Sequence, residues 1–409
     1  MLQTVPVLAR GVTAQCVQCS TPLYRRAAHT LNESMALVFA ALVLLTVTST
    51  NTMMSVQTAG IAHSAYLLSG PEELSRRGMV ELAAVVVFVT LLAPFMRMMG
   101  LLYVLAAVRA PAPPRHLIRI FAATERLRPW SMVEVFVFGV FVAYVKLGDL
   151  VHITLDPGVY ALLALTFVII WADVSIDREE IWLRLGAGRA RGALPTPQPP
   201  DAHVVGCEMC RLVSVLEKDD PRCPRCATPL HRRKPDSVAR TWALLIGAVV
   251  MYVPANYYPV LTVMQLGAGA PSTILGGVEE LVASGMYPLA ALVFFASIAV
   301  PLLKILGLGI MLVTIQTGRS AWLRDRTRLY HVIREIGRWS MIDIFMESLL
   351  GALVRFGNVV TIEPGIGAVA FCAVVILTIF AAETFDPRLM WDAAERHTGS
   401  GKEAFSTSR

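Results

Sequence analysis

Charge is what this sequence has least of. Only 16% of its 409 residues are Asp, Glu, Lys or Arg, against 55% hydrophobic, and the mean hydropathy is +0.59. Soluble domains usually carry about 25% charged residues. No charge at all occurs from Ser34 to Pro71, from Thr241 to Val278, or from Gly365 to Ala382. Roughly 20 mostly apolar residues cross a bilayer, so runs of this length are membrane spans. Disorder, a coiled coil and a secreted disulfide scaffold are excluded by the same composition. Other absences narrow the chemistry. Without a G-x-x-x-x-G-K-[ST] loop no nucleotide hydrolysis is built in, so any driving energy comes from an ion gradient, a lipid gradient or another protein. No catalytic triad or hydrolase elbow is visible, and no enzyme is expected. A membrane redox protein would hold haem between histidines inside its spans; only His63 and His152 are candidates, both near span ends. The first apolar run is too long for a signal peptide and lacks its small-residue cleavage site, so it is expected to remain as a span.

Eight spans are expected, near 34–56, 79–108, 130–153, 158–176, 239–263, 286–316, 339–360 and 365–385. The net charge of +6 is unevenly placed. Arg109, Arg115, Arg119, Arg126 and Arg128 lie between spans two and three. Arg319, Arg324, Arg326, Arg328, Arg334 and Arg338 lie between spans six and seven. The loop after span five instead carries Glu279 and Glu280 with no basic residue. Basic residues gather on the cytoplasmic side, which places both termini and the 178–238 segment inside. Nucleic-acid binding is a poor second explanation, since no compact basic domain is left to perform it.

The chain repeats itself at an offset of 207 to 209 residues. Cys16-Val-Gln-Cys19 followed by Thr-Pro-Leu-Tyr-Arg-Arg returns as Cys223-Pro-Arg-Cys226 followed by Thr-Pro-Leu-His-Arg-Arg. Glu72-Glu73-Leu74 returns as Glu279-Glu280-Leu281, and Pro94 with Arg97 as Pro301 with Lys304. Trp130-Ser-Met-Val-Glu134 returns as Trp339-Ser-Met-Ile-Asp343. An even number of spans per unit gives the two halves parallel topology, related by an axis along the membrane normal. The expected fold is an all-α polytopic membrane protein with two parallel repeats of four transmembrane helices, each preceded by a small cytoplasmic ribbon. The divisions are 1–30 (degenerate first ribbon), 31–186 (first four-helix unit), 187–202 (Pro-rich linker), 203–234 (second ribbon), 235–388 (second four-helix unit) and 389–409 (cytoplasmic tail).

Six of seven cysteines fall in Cys-x-x-Cys pairs. Cys207, Cys210, Cys223 and Cys226 make C-x2-C-x12-C-x2-C, the spacing of a tetrahedral structural zinc site that replaces a core too small to fold alone. A reducing cytosol disfavours a disulfide here, and a redox Cys-x-x-Cys lacks its βαβ context. Cys16 and Cys19 have no upstream pair, because residues 1–15 hold no Cys or His. That ribbon is either vestigial or borrows ligands from the second, with His29 as a remote third donor. Cys372, mid-span, reads as a small packing residue.

Charges inside spans carry most information, because one at the bilayer centre costs roughly 2.5–3.5 kcal/mol even on the mild insertion scale. Lys304 follows 23 uncharged residues and shares a helical face with Ser297. Asp343 and Glu347 lie one turn apart in span seven, followed by Arg355 and Asn358. Lys146 and Asp149 sit three apart in span three, at the positions repeated by Arg355 and Asn358. Arg97 either snorkels or is buried, and Glu134 either caps a helix at the headgroup level or faces the interior. Lys304 is expected to approach Asp343, with Ser297 and Thr378 completing a polar pocket whose charge pair holds or moves a proton. Pro254, Asn256 and Pro259 in span five and Pro301 in span six interrupt helices near the midplane, a weak mark of a transport site.

Repeated four-span units, Cys-x-x-Cys ribbons ending in Leu-Tyr/His-Arg-Arg, and a Trp-Ser-Met-hydrophobic-acid motif opening the third span together resemble the paraquat-inducible protein A (PqiA) family. The resemblance runs over about 16–390 and departs from the family where the first ribbon lacks its upstream Cys pair. It implies a Gram-negative inner-membrane protein that handles phospholipids together with a periplasmic MCE-domain partner. It also associates Ser297, Lys304, Asp343 and Thr378 in the second unit, and Lys146 and Asp149 in the first, with lipid transport. A membrane anchor for such a partner with no transport of its own, or a stand-alone secondary transporter, are the alternatives.

Overall fold

The computed structural model describes residues 9, 11–15, 22–25, 30–58, 61–110, 114–148, 152–186, 204–215, 222–265, 268–319, 322–353 and 360–394. A short hairpin of β1 (Thr13–Gln15) and β2 (Pro22–Arg25) precedes the first long helix, α1 (Leu31–Thr50). Thr30 caps α1 in a capping box with Glu33, which fixes where the helix starts. The hairpin β3 (Met54–Thr58) and β4 (Ile61–Ala65) follows, then α2 (Ser69–Arg76) and α3 (Val80–Val87). A π-helical turn at Phe88–Leu92 leads into α4 (Ala93–Ala107), and an amphipathic α5 (His116–Leu127) into a 3-10 turn at Arg128–Trp130. Then come α6 (Val133–Gly148), β5 (His152–Leu155), α7 (Pro157–Ser175) and α8 (Arg178–Leu185). Strands β6 (Val204–Gly206) and β7 (Val213–Val215) open the second ribbon.

The order of elements over 31–175 recurs beyond that ribbon. It runs through α9 (Ser237–Tyr257), β8 (Leu261–Gln265), β9 (Ala268–Ser272), α10 (Ile274–Ala283) and α11 (Tyr287–Phe294). A second π turn at Phe295–Ala299 leads to α12 (Val300–Thr317), amphipathic α13 (Leu323–Ile336) and a 3-10 turn at Gly337–Met341. The chain continues with α14 (Ile342–Leu353), β10 (Val360–Pro364) and α15 (Ile366–Thr384). Both π turns sit just before a proline, Pro94 and Pro301. Proline has no amide hydrogen and its ring crowds the carbonyl four residues back, here that of Thr90 or Ser297, so the helix widens locally.

Two features differ from the sequence expectation. The connections are not all-α: β3 pairs antiparallel with β4 and β5, and β8 with β9 and β10, giving two three-stranded sheets. The charge-free run 34–71 is longer than a span requires; α1 uses its first part, and the excess folds into the β3–β4 hairpin. Secondly, seven helices among the described residues are long and apolar enough to cross a membrane. The seventh expected span holds α14, of which the described part is Ile342–Leu353. Every α14 residue except Ala352 is buried, so packing within the protein, not lipid, surrounds it.

The compact units cut across the sequence repeat. The first comprises the described residues of Met1–Asn51, Val89–Val133 and Pro157–Arg232, the second those of Thr52–Phe88, Glu134–Asp156 and Arg233–Arg409. In the first, α1 packs on α7 and α4, and α5 on α4. Gly100 of α4 lets Thr124 come so close that a Cβ would meet its methyl at 2.5 Å. The ribbon of 203–234 falls largely in this unit rather than standing apart. In the second unit α9 packs on α15, and a core of Leu245, Leu308, Met311, Tyr330, Ala381 and Phe385 joins α9, α12, α13 and α15. Gly307 of α12 repeats the close approach, to Ile333 of α13. Outward faces stay apolar: Phe39 is 58% exposed, Phe167 72%, Val253 67% and Leu306 60%. Faces this apolar are not left to water; they are the lipid-facing sides of transmembrane helices.

Candidate functional site

In the second unit α14 carries Asp343 and Glu347 one turn apart, both buried. The Ser297 hydroxyl, in the π turn, sits between the Val293 carbonyl, 2.7 Å away, and the Asp343 carboxylate. That contact occupies Oδ2 of Asp343; its Oδ1 is buried with no hydrogen-bond partner. Lys146, in the last turn of α6, lies near enough for its charge to act on Asp343, Glu347 and Glu280. Lys146, Asp343 and Glu347 are among the residues that line a pocket in this unit. Most of the remaining lining is apolar, including Val142, Leu261, Ile274, Leu289, Val293 and Phe371, with Ser272 and Thr273 as polar exceptions. Charged groups in a mostly apolar lining suit an amphiphile.

Lys304 does not meet Asp343. Its ammonium donates instead to the Gly337 carbonyl at 3.0 Å and to the Thr378 hydroxyl at 3.3 Å. The Thr378 hydroxyl in turn donates to the Val375 carbonyl at 2.9 Å. Seven residues separate Lys304 from Ser297, which keeps them on one face but about 10 Å apart along the axis. Asp343 stands at the level of Ser297, and Lys304 at the level of the turn that ends α13. The expected single pocket is therefore two clusters, Ser297 with Asp343 and Lys304 with Thr378. Asp149, Arg355 and Asn358 lie outside the described residues.

Arg97, the repeat counterpart of Lys304, is buried in the first unit and pairs with Asp173 near the end of α7. Arg128 and Arg178 each approach Asp173 to 3.7 Å, and Arg178 reaches Glu125 at 3.2 Å. Burial lowers the Arg178 guanidinium from its ordinary value, opposed by Glu125. Snorkelling is thus not the fate of Arg97. Sequence reasoning passed over Asp173 because it lies at a span end; the missing signal was that a buried guanidinium requires a carboxylate nearby. Glu134 is half-buried at the start of α6.

The ribbon's four cysteines converge. Their sulfurs all lie within 4.8 Å of one another, with Cys207–Cys226 at 3.5 Å and Cys210–Cys223 at 3.4 Å, and none is disulfide-bonded. Bonds of about 2.3 Å around a tetrahedral zinc put sulfurs roughly 3.8 Å apart, so the quartet fits a metal ion and is compatible with zinc. The two Cys-x-x-Cys turns have the same build. Arg211 and Ala227, each just past its second cysteine, adopt a left-handed φ of 56° and return their amides to Cys207 and Cys223 at 2.9 and 2.8 Å. Arg225, within the second turn, is buried and donates to Glu179 of α8 at 2.9 Å and to the Cys210 carbonyl at 3.4 Å. Cys16 and Cys19 lie outside the described residues.

These features define a polytopic membrane protein with a four-cysteine ribbon and a pocket among its helices that charged and apolar side chains line together. A family model described as "Paraquat-inducible protein A" matches residues 31–186 and 238–395, and the chain belongs to that family. It is 33% identical to the "Intermembrane transport protein PqiA" of Escherichia coli K12 over 96% of this chain and 94% of that protein. It is 29% identical to the "Lipophilic envelope-spanning tunnel protein A" of the same strain, over 97% and 90%. A "Probable intermembrane transport protein" of Haemophilus influenzae is 25% identical over 95% and 93%. No solved structure matches the chain.

Proposed function

We propose that this protein is the inner-membrane subunit of an intermembrane phospholipid transport system. It loads lipids into, or takes them from, a periplasmic MCE-domain partner, and both its termini are cytoplasmic. The observation that carries the reading is the pocket of the second unit, lined mostly by apolar side chains together with Lys146, Asp343 and Glu347. The names of two relatives point to transport between membranes, and that of a third to a tunnel across the envelope. The chain has, in this account, eight spans in two parallel four-helix repeats, 31–186 and 235–388, with α14 in the seventh. In this account Lys146, Asp343, Glu347 and Ser297 engage the cargo in the pocket. Lys304 and Thr378 tie α12 and α15 to the end of α13, and Asp149 and Arg355, outside the described residues, are further candidates for lipid transport. No catalytic residue is assigned.

Filling the pocket tests the reading. Val293→Trp puts an indole into the hollow and is expected to reduce lipid-transport complementation at least tenfold while the protein reaches the membrane in normal amount. Full complementation by that variant would leave the anchoring role as the better explanation, since an anchor has no use for an open pocket.

Zinc is the ion we assign to Cys207, Cys210, Cys223 and Cys226, held as thiolates in a closed structural site. In the purified protein Cys223→Ser is expected to lower bound zinc by about one equivalent, measured by elemental analysis. Three thiolates leave an open and weaker site. Unchanged zinc content would remove the assignment. Cys16 and Cys19 carry no metal in this account unless a second ribbon lends ligands.

A further inference from the structure

Resting on the reading of the second unit's pocket as a lipid site, we propose that it selects phospholipids whose headgroup carries a primary ammonium beside the phosphate. The charge pattern of the pocket is that of a receptor for a zwitterion. Lys146 presents an ammonium, and Asp343 and Glu347 present carboxylates from one face of α14. Asp343 contributes the specific signal: it is 7% exposed, it lines the pocket, and its Oδ1 has no hydrogen-bond partner. A buried acceptor of this kind is costly to leave unmade. An ethanolamine ammonium offers three donors, enough to meet Asp343 Oδ1 and Glu347 together, while its phosphate faces Lys146.

Other headgroups fit worse for stated reasons. A choline headgroup has the positive charge but no N–H, so Asp343 Oδ1 stays unmet. A glycerol headgroup brings only the phosphate, which Lys146 attracts and two carboxylates repel. Selection by repulsion of the wrong headgroup as well as attraction of the right one is how such sites discriminate. The competing account makes Lys146 a counter-charge for the carboxylates and nothing more, in which case the headgroup is irrelevant.

The test uses the full-length protein in detergent, exchanged against equimolar dioleoyl phosphatidylethanolamine, phosphatidylcholine and phosphatidylglycerol, with retained lipid counted by native mass spectrometry. Phosphatidylethanolamine is expected to be retained about tenfold over either competitor, the value of one unmet buried polar group. Asp343→Asn with Glu347→Gln, nearly isosteric, should abolish that preference and turn it toward phosphatidylglycerol, because Lys146 is then the remaining charge. Asp343→Glu should keep it. Equal retention of all three lipids by the unaltered protein, still lost on Val293→Trp, would overturn headgroup selection while leaving the pocket a lipid site. Retention indifferent to Val293→Trp would overturn both. The unaltered protein alone decides the first question, even if the double variant fails to fold.

Discussion

Asp173→Ala is expected to lower the stability of the first unit by about 3–5 kcal/mol, the usual cost of stranding a buried charge. Arg97 is 2% exposed and pairs with Asp173, and Arg128 and Arg178 converge on the same carboxylate. Removing the acid leaves the buried Arg97 guanidinium without its counter-charge. Asp173→Ala combined with Arg97→Met removes both charges at once. Replacing a buried pair by apolar groups is often near neutral, so the double variant should recover most of the loss. Thermal unfolding of the detergent-purified proteins and their yield in membranes measure this. A double variant as unstable as the single would mean that the pair itself contributes little and that truncating the Asp173 side chain disrupts packing instead.

Lys304→Met is expected to abolish transport, with a stability loss of about 1–3 kcal/mol from the unmade hydrogen bonds. The ammonium bridges the Gly337 carbonyl, where α13 gives way to a 3-10 turn, and Thr378 on α15. Methionine fills similar volume but donates nothing to either. A Cβ on Gly337 would stand 3.3 Å from Lys304 Cε, so the turn is moulded around this side chain. Because Asp343 belongs to a separate cluster with Ser297, Asp343→Asn should not relieve the loss. The two stability changes should add within about 0.5 kcal/mol, as they do for sites without shared partners. Coupling well above that, or restored transport in the double variant, would reinstate a Lys304–Asp343 pair.

Much of this architecture was legible because lipid imposes simple rules. Three charge-free runs and several charge-poor ones marked the long helices, and Pro301 marked a place where one of them widens. Spacing alone identified the four converging cysteines, since C-x-x-C turns are local. Where partners lie far apart in sequence, periodicity gave less. Asp173 and Arg97 are 76 residues apart, and nothing in either segment names the other. Ser297 and Lys304 share a helical face, and that face was visible; their difference in height, which sends one to Asp343 and the other to Thr378, depends on how α13 and α14 meet. The sheets were hidden for another reason. Strands such as Met54–Thr58 are short and uncharged, so a hydropathy pattern absorbs them into the neighbouring span.

The central claim is that lipid enters the pocket of the second unit. It is tested most directly by a photo-activated diazirine residue no larger than leucine at Val293, inside the pocket, compared with one at Leu306, which is 60% exposed on an outward apolar face. After extensive detergent washing, surface lipid is removed while a bound lipid stays. We expect phospholipid cross-linked at residue 293 and little at 306, with the signal at 293 lost on filling the pocket from another wall by Leu289→Trp. Equal labelling at both positions, or none at 293, would contradict the account.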